Sequence, residues 1–200
     1  MVLAGGAARR LGGTDKPALA VGGRMLLDRV LEACSSAADT VVVGPRRPTA
    51  RPVRWAWEEP PGGGPLPALA AGLAALAGPG EEPRPDVVVV LAADLPFLTA
   101  DTVAALVGSL AAVDDEGVML TDASGRDQPL AAAYRAEPLR REIALLKAEQ
   151  GTLAGLPLRL LTGELALRRM ADPTGDASFD CDTWEDVAAA RARSDAASEG

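Results

Sequence analysis

Residues 86–98, DVVVVLAADLPFL, contain a continuous apolar run at residues 87–93, VVVVLAA, which is followed by the carboxylate of Asp94 and then by Pro96. A run of this kind is typical of a central strand in a parallel sheet, because helices cover such a strand on both faces. Asp94 then lies at the carboxyl end of the strand, where open α/β sheets bind their ligands. The stretch therefore predicts an α/β fold with a candidate site beside Asp94.

Strand and helix patterns alternate on both sides of this stretch. Apolar residues recur at helical spacing in residues 25–34, 66–77, 99–110 and 137–149. Segments of strand length occur at residues 1–4, 40–43, 53–57, 117–121, 129–135 and 158–161. Residues 78–85 are expected to form a loop. This alternation predicts βαβ units, a mostly parallel sheet and a three-layer α/β/α sandwich.

The length and composition indicate one globular domain. The chain has 200 residues, of which 48% are hydrophobic, and this is enough for one buried core. We expect a single domain over residues 1–193 and a frayed tail at residues 194–200. Thr183 and Asp186 have capping-box spacing, which predicts that the last helix begins there.

The composition excludes several classes of function. A net charge of −8 and an aromatic content of 3% leave neither a basic face nor a stacking platform for nucleic acid. The absence of histidine excludes an imidazole base and histidine metal ligands. We see no membrane-spanning run or signal peptide and expect a cytoplasmic protein. Cys34 and Cys181 are expected to be buried thiols, and the oligomeric state stays open, with a monomer compatible with the sequence.

A glycine-rich, basic loop follows the first strand. Residues 3–19 are LAGGAARRLGGTDKPAL, with Arg9, Arg10 and Lys16 in an otherwise acidic chain. Glycine amides and nearby cations can surround a phosphate, whereas the alternative is a flexible surface turn. The spacing matches neither the dinucleotide nor the P-loop pattern. Only Lys16 and Lys147 among 20 basic residues are lysines, which favours Lys16 as a point charge for phosphate.

Two further segments are expected at the same edge of the sheet. Asp94 has a carboxylate suited to Mg²⁺ bound to phosphates, although it would serve equally well as a cap for the next turn or helix. Residues 58–69, EEPPGGGPLPAL, place three glycines before a helix. Such backbone can lie against a flat base, and a loose linker is the alternative.

Taken together, these segments resemble the molybdenum cofactor guanylyltransferase (MobA-type) family of nucleotidyltransferases. The matching segments follow the family's order: residues 3–16, Gly64-Pro65-Leu66, Asp94-Leu95-Pro96 and Gln128-Pro129-Leu130. An LAGG opening alone is shared by many nucleotidyltransferases, so the full set makes the resemblance specific. The chain departs from the family at Asp180 and Asp182, where asparagines are usual, and this leaves the identity of the acceptor open.

The resemblance implies a Rossmann-like fold and transfer of GMP from GTP to the phosphate of a molybdopterin cofactor, with release of pyrophosphate. It implies Mg²⁺, with Mn²⁺ as an alternative, held by Asp94. The implied catalytic residues are Lys16, Arg10 and Asp94. The implied nucleotide contacts are Leu3, Ala4, Gly5, Gly6, Lys16, Glu58 or Glu59, Gly64 and Asp94. Asp180 and Asp182 are implied on the acceptor side.

Three alternatives differ from this interpretation. A cytidylyltransferase, or another enzyme that joins a nucleotide to a phosphate, would keep the chemistry, but CTP-using relatives tend to have LAAG instead of LAGG. A non-catalytic nucleotide-binding protein would keep the fold, and the intact Lys16 and Asp94 argue against it. A Rossmann oxidoreductase would need the GxGxxG pattern, which this chain lacks.

Overall fold

Strands and helices alternate along the chain in a computed structural model that describes residues 1–6, 9–78 and 85–198, without the side chains of Arg9 and Ser198. The strands are β1 (Val2–Leu3), β2 (Ala20–Val21), β3 (Arg24–Met25), β4 (Val41–Val43), β5 (Arg54–Ala56), β6 (Val87–Ala92), β7 (Gly117–Thr121), β8 (Asp127–Arg135) and β9 (Leu167–Ala171). The helices are α1 (Leu26–Ala33), α2 (Pro65–Ala77), α3 (Ala100–Ala111), α4 (Ala136–Gln150), α5 (Arg159–Thr162) and α6 (Trp184–Ser198). Across the described ranges, every helix is too short or too polar to pass through a bilayer.

Seven of the strands form one mixed sheet in the order β5–β4–β1–β6–β8–β7–β9. The strands β5, β4, β1 and β6 run parallel to one another, and β8 runs antiparallel to both of its neighbours. The strand β7 therefore runs in the same direction as β6. As a result, the carboxyl ends of β1, β4, β5, β6 and β7 meet at one edge of the sheet. This topology confirms the predicted mostly parallel sheet.

Helices cover both faces of the sheet, as the sandwich prediction requires. Alternate strand residues point to opposite faces, so that Val41 and Val43 pack with α2 and α4, whereas Val42 packs with α1 and α3. A third, smaller core lies between α6 and the β2–β3 hairpin and contains Leu11, Val21, Leu26, Cys181, Val187 and Ala190. This third core fixes the base of the glycine-rich loop against the last helix.

The last helix begins where its capping box predicts. Thr183 Oγ1 accepts a hydrogen bond from Asp186 N at 3.2 Å, and the Asp186 carboxylate accepts one from Thr183 N at 2.7 Å, which is the reciprocal capping box. The helix α6 continues to Ser198, and the fraying expected after Arg193 stays a prediction. Arg29 holds this segment by donating a hydrogen bond to Ser194 Oγ at 3.1 Å.

One local prediction is wrong, three short strands were missed, and one predicted loop lies mostly outside the described residues. Residues 158–161 were expected to form a strand, but Arg159–Thr162 is a helical turn, since an apolar run this short has no period that separates helix from strand. The sequence patterns also missed β9 and the β2–β3 hairpin. Most of the expected loop at 78–85 lies outside the described residues.

Both cysteines are free and buried, as expected. Burial raises the pKa of the Cys34 thiol above its usual value, and burial with the nearby Asp94 charge raises the pKa of Cys181 to about 12. Neither thiol therefore ionises near neutral pH, so that both act as small apolar side chains.

Candidate active site

A cavity of about 580 Å³ opens at the edge where the parallel strands end. Its lining joins all three segments that the sequence singled out. The lining residues are Leu3, Gly5, Gly6, Arg10, Lys16, Pro17, Glu58, Gly62, Gly64, Pro65, Ala68, Ala92, Ala93, Asp94, Leu130 and Asp182. Its position at the carboxyl ends of the strands is the usual ligand position in open α/β sheets.

The backbone after β1 is held close to the end of β4. Ala4 N donates a hydrogen bond to Val43 O at 2.8 Å. Gly44 has a φ of +138°, and a Cβ at this position would come within 2.9 Å of the Ala4 carbonyl and Gly5 N. Only glycine fits such a contact. Leu3, Gly5 and Gly6 line the cavity. The Ala4 side chain is buried in the core, so that this residue can offer the site only its backbone.

Lys16 lies at the centre of a charge cluster in the cavity. Its Nζ contacts Asp94 Oδ2 and donates a hydrogen bond to Asp182 Oδ1 at 2.5 Å. Arg10 Nη1 donates to the other oxygen of Asp182 at 3.3 Å. Burial acts to lower the pKa of Lys16, but the charges and hydrogen bonds of Asp94 and Asp182 outweigh it and raise that pKa above its usual value. The ammonium is therefore fully charged at neutral pH.

The segment at residues 180–182 is tied directly to the end of β6. Cys181 N donates a hydrogen bond to Asp94 O at 3.2 Å. Carboxylate oxygens of Asp94, Asp180 and Asp182 lie within 4.8 Å of one another. The hydrogen bond from Lys16 holds the pKa of Asp182 below its usual value. Asp180 and Asp182 are far in sequence from the nucleotide motifs, and the backbone bond to Asp94 brings them beside Lys16; their role on the acceptor side stays a prediction.

The three carboxylates offer a set of ligands that suits a hard divalent cation. Oδ1 of Asp94 is buried and has no hydrogen-bond partner within the described part of the chain. An unsatisfied buried carboxylate oxygen is costly unless a ligand pairs with it. Oxygen-only ligands are what Mg²⁺ prefers, so these residues fit that ion. Thr99, not Asp94, caps α3 by accepting a hydrogen bond from Thr102 N at 3.1 Å, which removes the helix-cap role for Asp94.

Glu58 faces the cavity, and its neighbour Glu59 does not. The Glu58 side chain is buried, with 8% of the residue exposed, and its Oε1 lies 3.5 Å from the position of a Cβ on Gly5. Gly62 N donates a hydrogen bond to the same oxygen at 2.8 Å. Glu59 is exposed and does not line the cavity. Of the two glutamates, Glu58 is thus the one that lines the cavity, and its contact with a base stays a prediction.

The amino end of α2 forms another wall of the cavity. Gly64 is the residue before the helix, with a φ of +100°, and Pro65 is the first helical residue. Both line the cavity, and no acidic residue lies in the first turn of α2. Pro65 and Pro67 have no backbone N–H, and Ala68 N donates to Gly64 O at 3.4 Å, so Leu66 N is the amide that the first turn leaves free for an anion or a carbonyl oxygen. The glycine segment therefore forms part of the cavity wall, and its contact with a base stays a prediction.

Sequence reasoning did not single out seven residues of the lining as ligand contacts. They are Pro17, Gly62, Pro65, Ala68, Ala92, Ala93 and Leu130. Leu130 belonged to a recognised motif, whereas Gly62 contributes only a backbone donor to Glu58, a role that side-chain patterns do not reveal. Arg9 counted among the basic groups of the first loop, but its side chain lies outside the described residues.

The arrangement of charges suits transfer of a phosphate-bearing group. Two cations, Lys16 and Arg10, face the cavity beside a cluster of carboxylates able to hold a metal ion. Reactions of phosphoryl and nucleotidyl groups depend on positioning and on neutralising charge. The same cavity has a buried acid, Glu58, that can accept hydrogen bonds from a base edge.

Comparisons with known proteins agree with this site. Residues 1–162 match the model of the MobA-like NTP transferase domain. A molybdenum cofactor guanylyltransferase of Bradyrhizobium sp. (strain ORS 278) is 32% identical over 200 residues, covering 95% of this chain and 90% of the relative. Another protein of that name, from Rhodopseudomonas palustris (strain BisB5), is 36% identical over 156 residues, covering 74% of this chain and 70% of the relative.

Solved structures share the fold at lower identity. Molybdopterin-guanine dinucleotide biosynthesis protein A from Archaeoglobus fulgidus superimposes with a TM-score of 0.71 at 20% identity, covering 100% of this chain and 98% of that chain. A 2-C-methyl-D-erythritol 4-phosphate cytidylyltransferase from Thermus thermophilus superimposes with a TM-score of 0.69 at 19% identity, covering 97% of this chain and 98% of that chain. These two likenesses support the fold alone. On the match over residues 1–162 and the curated relatives, the chain belongs to the MobA-like NTP transferase domain family.

Proposed function

We propose that this protein transfers GMP from GTP to the phosphate of a molybdopterin-type acceptor and releases pyrophosphate. The observation that carries the proposal is the pairing of Lys16 with Asp94 and Asp182 in a cavity that Glu58 also faces. The names of the curated relatives supply the substrate class. The LAGG opening at Leu3–Gly6, in place of LAAG, favours GTP over CTP.

The side chains of the cavity would act by positioning and by neutralising charge. Lys16 and Arg10 would contact the phosphates of the bound nucleotide, where negative charge develops on the leaving pyrophosphate. The acceptor phosphate is already ionised and needs no base to activate it. This agrees with a chain that contains no histidine.

Asp94, Asp180 and Asp182 would hold Mg²⁺, with Mn²⁺ as a substitute. Such an ion, when bound, neutralises charge on phosphate oxygens. Asp94 and Asp182 pair with Lys16 in the free protein, so nucleotide binding requires Lys16 to move its charge from these carboxylates towards the phosphates. The carboxylates then become available to the cation, which couples the two binding events.

Replacing Asp94 with asparagine should weaken metal binding. The change removes the negative charge and replaces one of the two carboxylate oxygens by an NH₂ group, which cannot ligate a cation, at a residue whose Oδ1 is buried without a partner in the described chain. We expect the Mn²⁺ concentration for half-saturation to rise about tenfold to a hundredfold, the range seen when groups that support a metal site are lost. Electron paramagnetic resonance of free Mn²⁺ measures this without an activity assay. Asp101→Asn, an exposed acid in the first turn of α3, is the control, and equal Mn²⁺ binding by both variants would contradict the assignment.

The function is tested by combining the purified protein, Mg²⁺, molybdopterin and each of the four nucleoside triphosphates in turn. The expected result is pyrophosphate release with GTP and a product heavier than the acceptor by one GMP unit, identified by mass spectrometry. Release with CTP instead would show a cytidylyltransferase. Nucleotide binding without any release would show a non-catalytic binding protein.

The proposal also covers partners and location. The substrates are small molecules, and the net charge of −8 argues against nucleic acid as a partner. The cytoplasm, where nucleoside triphosphates are abundant, is the compartment that this reaction requires. A monomer is sufficient, since every group invoked comes from one chain.

A further inference from the structure

Arg47 lies in the loop after β4 and reaches across to the glycine-rich loop. Its guanidinium donates hydrogen bonds to both oxygens of Asp15: Nε to Oδ2 at 2.8 Å and to Oδ1 at 3.0 Å, and Nη2 to Oδ1 at 2.6 Å. Nη1 donates to Pro45 O at 2.8 Å. Only 9% of the Arg47 side chain is exposed. Arg47 and Asp15 thus form a bidentate, charge-assisted pair, which a lysine at position 47 could not reproduce.

Asp15 immediately precedes Lys16 and shapes the turn that carries it. Ala18 N donates to Asp15 O at 3.0 Å, and Leu19 N donates to Lys16 O at 3.1 Å, so that Asp15 begins a single helical turn over Lys16–Ala18. The Asp15 side chain is about half exposed, at 52%. Holding Asp15 therefore holds the backbone from which Lys16 extends into the cavity.

Asp15 also creates an electrostatic problem that Arg47 solves. Asp15 does not line the cavity, but it is the residue before Lys16, and an unpaired carboxylate there would raise the free energy of binding a triphosphate through like-charge repulsion. The guanidinium of Arg47 cancels this charge while it fixes the loop. Gly44 in the same segment packs against Ala4 and Gly5, so the loop after β4 supports the first loop at two separate points.

We propose that Arg47 is a positioning residue for the nucleotide triphosphate, which neutralises Asp15 and holds the turn that presents Lys16. Arg47 itself does not line the cavity, so its effect passes through Asp15. The proposal depends on the proposed function for the nature of the ligand, a nucleoside triphosphate with Mg²⁺. It adds a residue that neither the sequence motifs nor the lining of the cavity indicate.

The test is a double-mutant cycle on nucleotide affinity. The dissociation constant of a fluorescent GTP analogue with Mg²⁺ is measured for the parent, Arg47→Ala, Asp15→Asn and the double variant. We expect Arg47→Ala to weaken binding about tenfold, a coupling of ordinary size for contacting residues. The double variant should recover most of the lost affinity, since the unpaired carboxylate is gone. The loss in Arg47→Ala should also shrink at high salt, because the exposed Asp15 charge is then screened.

Controls separate this role from a purely structural one. Arg168→Ala breaks a similar arginine–aspartate pair, Arg168 Nε to Asp115 Oδ2 at 2.9 Å, far from the cavity at the amino end of β7, and should leave affinity unchanged. Arg47→Lys keeps the charge and should lose less affinity than Arg47→Ala, and it replaces the alanine variant if that one fails to fold.

The outcomes distinguish this proposal from the function. Parent-like affinity in Arg47→Ala would overturn the whole role of Arg47, and a double variant as weak as Arg47→Ala at every salt concentration would overturn the neutralisation of Asp15. A parent that binds CTP and not GTP would overturn the guanylyltransferase proposal, and the same four-variant pattern measured with a CTP analogue would still support Arg47.

Discussion

Replacing Lys16 with alanine is expected to lower kcat about 10²–10³-fold, the usual cost of removing one preorganised group that stabilises developing charge. Lys16 is 14% exposed, and its ammonium is the group held closest to Asp94 and Asp182. The turnover of the purified variant with GTP, Mg²⁺ and molybdopterin measures the effect. A value of kcat close to that of the parent would remove Lys16 from the mechanism.

Lys147 provides a matched control for this change. It is the other lysine of the chain, and it lies exposed in the last turn of α4, on a face that does not contribute to the cavity. Lys147→Ala should keep the parent kcat. Lys16→Ala also leaves two carboxylates facing each other without their cation, so the melting temperature of each variant is recorded, and Mn²⁺ is supplied to compensate the uncovered charge.

The pairing of Lys16 with Asp94 shows how far the sequence predicts the site. Separate sequence features indicate the two residues as site candidates: Lys16 is a lysine in a glycine-rich loop, and Asp94 ends the apolar strand. The parallel order of β1 and β6 brings the two together, as carboxyl ends of neighbouring strands must meet. The role of Asp182 at this point was not predictable, because it depends on the hydrogen bond from Cys181 N to Asp94 O across a large separation in sequence.

The strength of the apolar pattern in each element explains which parts of the fold were predicted. The strand β6 and the helix α3 have clear apolar patterns, and their predicted bounds agree closely with the observed ones. The strand β9 contains two exposed arginines, Arg168 and Arg169, and pairs only along β7 at the edge of the sheet. An edge strand needs little apolar character, so the pattern of residues 167–171 gave no signal.

Arg47 illustrates a third kind of residue, which neither periodicity nor motif identifies. It lies in a loop with two neighbouring prolines, in a sequence rich in arginine. Only the structure reveals that its side chain is nearly buried against Asp15. Residues that act through another side chain have no fixed spacing from the groups they position, and for this reason they have to be found from contacts.

The second large effect expected concerns the choice of base. Guanine presents two donors on one edge, N1–H and the exocyclic amine, and a carboxylate can accept both. Glu58 is buried in the cavity, and Gly62 N holds one of its oxygens at 2.8 Å, so its orientation is set before a base arrives. Adenine would face the carboxylate with an acceptor at N1. A site that leaves such buried groups unpaired rejects the wrong base by about 10⁴-fold, and we expect GTP to exceed ATP by a factor of that order.

Glu58→Gln should reduce this preference by about a hundredfold, because a buried donor or acceptor left unpaired costs about 1–3 kcal/mol and two contacts are affected. The hydrogen bond from Gly62 N requires the amide oxygen of the new side chain to stay where Oε1 is, so its NH₂ group meets the donors of guanine. Competition binding of GTP, ATP and CTP to the parent and the variant measures the ratio of their affinities.

Glu59→Gln, a change at an exposed neighbour that does not line the cavity, should keep the parent ratio. If Glu59→Gln lost the preference and Glu58→Gln kept it, the base would be recognised by a different arrangement of this loop, while the roles of Lys16 and Asp94 would stand.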